Sequence, residues 1–259
     1  MSLPFRSLQS ISYTVALAAV IVSTKAQADI ITLNVNSAQS SLSLAGNAFG
    51  LDYAQQNAGS LVTSLSGTMT ANLTAGVLTF TGGSAISANL NPTGPYTSAP
   101  NPIGVEAGNF GVTANGVVAG FGTVTINGVY KNLVIDITSG TAQNGVALTG
   151  ATMNFSAGAL DFGIANPAPL SVGTSNLQNV SGPNTSNSLV TFNGTTLTIP
   201  VAFRTTGSNR FEDWSGTIVA TIVAVPEPSS ILLTFVGLGG ITLACILRRK
   251  FHVNGGMAV

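Results

Sequence analysis

Between Asp29 and Ala224 the one dense group of side chains able to bind or catalyse is Arg204, Arg210, Glu212, Asp213 and Trp214. Two carboxylates beside two guanidiniums and an indole could act as acid and base at a glycosidic bond, or hold a polar ligand against an aromatic ring. The spacing argues against the first use. Neighbouring residues on a strand project to opposite faces, so Glu212 and Asp213 can cooperate only where a turn reorients them. The simplest reading is a solvated turn anchored by Trp214, with all five residues kept as ligand-contact candidates.

Other chemistries lack their residues. The single histidine is His252 and the single cysteine is Cys245, so the region from Asp29 to Ala224 holds neither imidazole nor thiol. A Ser-His-Asp triad, a Cys-His pair, a zinc site and a disulfide are all excluded there. Asp52, Asp136 and Asp161 are scattered, with no Asp-x-Asp-x-Asp spacing for calcium, and no metal or cofactor is expected. Seven acids and three bases in this region give a formal balance of −4, which offers nucleic acid no basic surface. Only 6% of the chain is charged, against about 25% in ordinary globular proteins.

The elements that would position the cluster read as strands. Asn127-Gly128 and Asn193-Gly194 each stand between alternating apolar runs, the pattern of a hairpin on a type I′ turn. In the first, Val124 and Ile126 share a face with Val129, Leu133, Ile135 and Ile137, leaving Tyr130, Asn132 and Asp136 on the other; Lys131 interrupts the apolar face, as at a sheet edge. In the second, Leu197, Ile199, Val201 and Phe203 alternate, and Pro200 marks an edge strand or bulge. Further strands are expected at Ile30 to Val35, Leu42 to Ala45, Val62 to Leu73, Val77 to Phe80, Val146 to Phe155 and Gly216 to Val225. Asn91 to Pro102 and Asn166 to Pro183 read as loops. The expected fold is all-β: one antiparallel β-sandwich of eight to twelve strands, jelly-roll-like or Ig-like in topology, followed by one C-terminal transmembrane helix.

The two ends carry addresses. Arg6, the apolar run from Val15 to Val22 and the Ala26-Gln27-Ala28 site before Asp29 form a signal peptide over residues 1–28, with cleavage at Ala26, Ala28 and Asp29. At the other end, the 19 residues from Ser229 to Leu247 carry no charge. As a helix at about 1.5 Å per residue they would cross a bilayer. Arg248, Arg249 and Lys250 come next and stay on the cytoplasmic side, which turns residues 29–224 outward and leaves 251–259 as a cytoplasmic tail. Before the helix stands Val225-Pro226-Glu227-Pro228-Ser229, whose two prolines keep the backbone extended.

That order of Pro-Glu-Pro, apolar helix and basic stop over residues 225–250 resembles the PEP-CTERM sorting signal. The resemblance implies a bacterial exported protein that meets signal peptidase and then an exosortase-type membrane protease. It would reside in the inner membrane as a precursor and afterwards in the cell envelope, at the surface or outside the cell. It also implies a structural or adhesive role, with extracellular polysaccharide as a further partner. Phe251 to Val259 extend past the basic cluster where the family usually stops sooner, and Cys245 lies inside the helix. The alternative expectation is a secreted carbohydrate-binding module or hydrolase using the acids near Trp214.

Overall fold

A computed structural model describes residues 29–55, 59–88, 109–120, 122–166 and 170–223. The signal peptide with Ala26 and Ala28, the expected loop from Asn91 to Pro102, and the sorting segment 225–250 with its helix lie outside the described residues. By its internal contacts the chain divides into Met1–Val223 and Ala224–Val259, and every described residue belongs to the first unit. Among the described residues no helix is long and apolar enough to cross a membrane.

The unit is all-β. Its strands are β1 (Asp29–Val35), β2 (Ser41–Ala48), β3 (Leu51–Gln55), β4 (Gly59–Ser60), β5 (Val62–Thr74), β6 (Val77–Thr79), β7 (Ala85–Ala88), β8 (Asn109–Val118), β9 (Gly122–Ala142), β10 (Thr149–Asn166), β11 (Leu170–Asn176), β12 (Ser181–Pro183), β13 (Thr191–Phe192), β14 (Thr196–Gly207) and β15 (Arg210–Ile222). All are joined in one hydrogen-bonded sheet, antiparallel throughout except for the short β4–β8 pair. There are thus fifteen strands among the described residues, more than the eight to twelve expected. The pairing also closes on itself: β9 meets β5 through β6 and β7, and the path continues through β1, β15, β2, β3 and β8 back to β9.

Alternation in the sequence explains the core. Along β14, Leu197, Ile199, Val201 and Phe203 are buried while the residues between them are not. Burying each such side chain contributes about 1.5–3 kcal/mol. They join Leu33, Leu42, Leu65, Met69, Leu133, Ile135 and Ile137 in one apolar cluster. Its centre is aromatic. Trp214 lies 5.2 Å from Phe155, 5.3 Å from Tyr130, 5.9 Å from Phe110 and 6.2 Å from Phe203, ring centroid to centroid.

The second expected hairpin is present: Phe192 pairs with Leu197 around Asn193-Gly194, and Gly194 has φ +93°. Pro200 faces Thr217 of β15 and lies beyond the end of the β13 ladder, so its missing N–H costs no ladder bond on that side. The first hairpin is not present. Asn127-Gly128 lies inside the 21-residue β9, paired with Thr113 and Val112 of β8 on one side and with Gly163 and Phe162 of β10 on the other. Ladders on both sides outweigh the local turn preference, and side chains pack closely over Gly128. A Cβ there would stand 3.1 Å from both Leu160 and Val112.

Further expectations are revised by the structure. Tyr130 is fully buried on the core face, because Asn132 at φ +51° shifts the alternation between Tyr130 and Leu133. Lys131 pairs with Ala159 of β10 and its ammonium bonds Asp161 at 2.6 Å, while on the other side of β9 it lies between the β8 ladder, which ends at Val129, and the β7 ladder, which begins at Val134. The stretch from Asn166 to Pro183 contains β11 and β12, both paired with β10. The strand expected at Val146 begins instead at Thr149, and the last strand starts at Arg210, six residues before Gly216.

Candidate functional site

The β14–β15 hairpin decides the fate of the polar cluster. Glu212 and Asp213 are mid-strand, opposite Thr205 and Arg204, so the expected solvated turn at these acids is not found. The tight turn lies just before them, at Ser208-Asn209, where Gly207 pairs with Arg210 and Asn209 takes φ +57°. Strand geometry then splits the five candidates. Arg210, Glu212 and Trp214 point inward, whereas Arg204 and Asp213 point out.

The outward pair is a fork. Arg204 donates Nε to Asp213 Oδ1 at 2.6 Å and Nη2 to Oδ2 at 2.7 Å, and its guanidinium lies 4.3 Å from the centre of the Phe211 ring. The Asp213 carboxylate holds the Arg204 pKa above its ordinary value.

The inward group is a closed network. Arg210 donates Nε to Glu212 Oε1 at 2.7 Å and Nη2 to Ser175 Oγ at 3.1 Å. Tyr130 donates its hydroxyl to Glu212 Oε1 at 3.2 Å, and Thr205 donates to Glu212 Oε2 at 2.9 Å. Trp214 Nε1 donates to Thr205 Oγ1 at 2.9 Å. Glu212 is 1% exposed, which makes this pairing obligatory: a buried carboxylate without partners would cost several kcal/mol. Burial, reinforced by Glu212, pushes the Tyr53 phenol up to about 12, and burial likewise raises that of Tyr130.

Sequence reasoning found Arg210, Glu212 and Trp214 but missed Tyr53, Tyr130, Thr205 and Ser175. Thr205 was within reach, since a hairpin register across Ser208-Asn209 places it opposite Glu212. The others come from β3, β9 and β11, distant in sequence.

Beside the network lies a cavity of about 40 Å³. Val112, Ala114, Ile126 and Leu160 form its apolar wall; Tyr53 and Arg210 bring polar groups to it. A water-sized guest needs roughly 10–15 Å³ by this measure, so the space suits a methyl or acetyl group and not a sugar ring.

Among the described residues Asp136, Asp161 and Asp52 are structural. Asp136 accepts backbone N–H bonds from Gly83 at 3.2 Å and Ser84 at 2.8 Å, fixing the turn before β7. Asp161 is buried against Lys131 and Thr174, and Asp52 accepts from Asn47 Nδ2 at 2.9 Å. Asp29, the expected first residue after cleavage, opens β1 opposite Leu73. Among the described residues no group of three or more His, Cys, Asp or Glu side chains could hold a metal ion. Compared with known proteins, the chain matches no family model, no curated protein and no solved structure.

Proposed function

We propose that this chain is an exported cell-envelope or extracellular-matrix protein, structural or adhesive, which is sorted through residues 225–250 and works by contact rather than turnover. In this reading the closed sheet of residues 29–223 is a flattened antiparallel β-sandwich delivered to the outside. One observation carries the non-catalytic part. Both oxygens of Glu212 accept bonds from the chain itself, and Asp213 turns to the opposite face against Arg204. A glycosidase needs two carboxyl groups facing one substrate about 5–9.5 Å apart. Here Glu212 and Asp213 lie on opposite faces of the sheet.

The address is supported by the sequence order of Ala26-Gln27-Ala28, Pro226-Glu227-Pro228, an apolar stretch and Arg248-Arg249-Lys250. The test is the C-terminal mass of the protein from its producing cell, native and as the Pro226→Ala, Glu227→Ala double variant. The native product should end near Pro226, while the double variant should keep its tail and stay membrane-bound. Identical C-termini in the two would remove the sorting reading.

A further inference from the structure

Two hairpin turns and the end of a third hairpin meet at one end of the sheet. The β2–β3 turn is Phe49-Gly50 and the β14–β15 turn is Ser208-Asn209, and Phe49 donates its N–H to the Asn209 carbonyl at 2.8 Å. Leu51, just after the first turn, packs on Gly116 near the end of β8, where a Cβ would come within 2.2 Å of it. Phe49 has φ +53° and Gly50 φ +83°, the conformation of a type I′ turn, which Asn-Gly adopts readily and Phe does not. Phe49 is 54% exposed, so burial does not compensate for the strained backbone. Backbone strain of this kind concentrates at binding sites.

Two depressions adjoin the Phe49 ring. Inside is the apolar cavity of about 40 Å³; outside is an open concavity bordered by Asn47, Arg204, Thr206 and Asn209, and Phe49 and Arg210 line both. The charges there are already matched, Arg204 by Asp213 and Arg210 by Glu212. The surface therefore combines one exposed ring, one methyl-sized apolar hole and a polar shelf whose lining charges are paired. A protein partner is the poorer fit, because stable protein interfaces bury about 800 Å² per partner around large apolar anchors. Among the described residues, the exposed large hydrophobics on the turns and strands of this end are Phe49 and Val117.

We infer that this end is a glycan-contact site for a neutral, acetylated sugar, N-acetyl or O-acetyl hexose, with Phe49 stacked on the pyranose and the acetyl methyl in the cavity. The biological setting rests on the proposed surface role, but the binding itself does not. The full chain in detergent is screened against acetylated hexose oligosaccharides and their chemically deacetylated counterparts, followed by calorimetric titration. Binding should be at least tenfold weaker for the deacetylated sugars. Phe49→Asn, which suits the positive φ, should bind at least tenfold more weakly while melting no lower than the native protein. Ala114→Val, which fills the cavity, should erase the preference for acetyl; a drop in its melting temperature would leave Phe49→Asn as the deciding variant. Absence of any glycan binding, equal binding of deacetylated sugar, undiminished binding by Phe49→Asn, or binding of polypeptide only would overturn the inference. Failure of the sorting proposal would appear instead in the C-terminal mass and leave this titration unchanged.

Discussion

The Thr205 hydroxyl stands between Trp214 and Glu212, accepting from the indole Nε1 at 2.9 Å and donating to the carboxylate at 2.9 Å. One side chain on β14 thus satisfies two buried groups on β15, and all three residues are 1–2% exposed. Thr205→Val keeps the shape and removes both bonds. Leaving an indole N–H and a carboxylate oxygen unpaired should cost about 2–5 kcal/mol, read from a denaturant midpoint. A loss below about 0.5 kcal/mol, half of one ordinary hydrogen bond, would mean that the network does not hold the core.

Glu212 and Asp213 should respond oppositely to neutralisation although they are adjacent. Glu212→Gln strands the Arg210 guanidinium, which is mostly buried, and should destabilise by about 3 kcal/mol. Asp213→Asn breaks a solvent-exposed pair, so the unfolding midpoint should barely move and any shift should vanish in high salt. Equal losses would contradict the assignment of the two carboxylates to opposite faces.

Alkaline pH should unfold the protein through its tyrosines. The unfolded chain gives up phenolic protons near pH 10, whereas the folded Tyr53 holds its proton to about 12 and Tyr130 is raised as well. The folded state therefore binds more protons above pH 10. This contribution to stability is complete below pH 10 and is lost as the pH rises through about 12. Unfolding midpoints across that range, beside ultraviolet phenolate absorbance, would show it. Tyr53→Phe should flatten the slope, and an unchanged slope would place the linkage elsewhere.

The apolar core should dominate stability, without help from disulfides. Ile135 is 2% exposed on β9, and Ile135→Ala should cost about 2–5 kcal/mol. Reducing agent should leave the melting curve unmoved, since Cys245 is the only cysteine in the chain.

How much of the fold was legible in the sequence depended on how local the deciding contact was. Asn193-Gly194 could be read as a turn because the strands that it joins pair with each other. The same dipeptide at 127–128 misled, because the β9 partners there are 14 to 36 residues away and no local pattern announces them. Tyr130 was placed on the wrong face for a related reason: one residue at positive φ, Asn132, reverses the alternation that sequence reading assumes constant. In the site, the division of Glu212 from Asp213 followed from strand geometry alone. Their partners Tyr130 and Ser175 did not, since they arrive from other strands. The cavity behind Phe49 is assembled from strands far apart in the chain and the turns between them, and it had no signature in the sequence.

The placement of β15 has a mechanical consequence. It runs from Arg210, at the Phe49 end, to Ile222, and it is bonded to β14 along its whole length, to β2 over its first half and to β1 at its close. Val223 donates to the Thr32 carbonyl at 2.9 Å, so the strand leaves the sheet at the end opposite Phe49. Tension between a ligand held at Phe49 and a hold on the chain beyond Val223 would pull β15 lengthwise. Its ladders would then have to slide together, whereas tension between Asp29 and Val223, which lie at the same end of the antiparallel β1–β15 pair, would peel β1 from β15 one bond at a time. The sheet should therefore resist load along β15 far better than load applied between Asp29 and Val223.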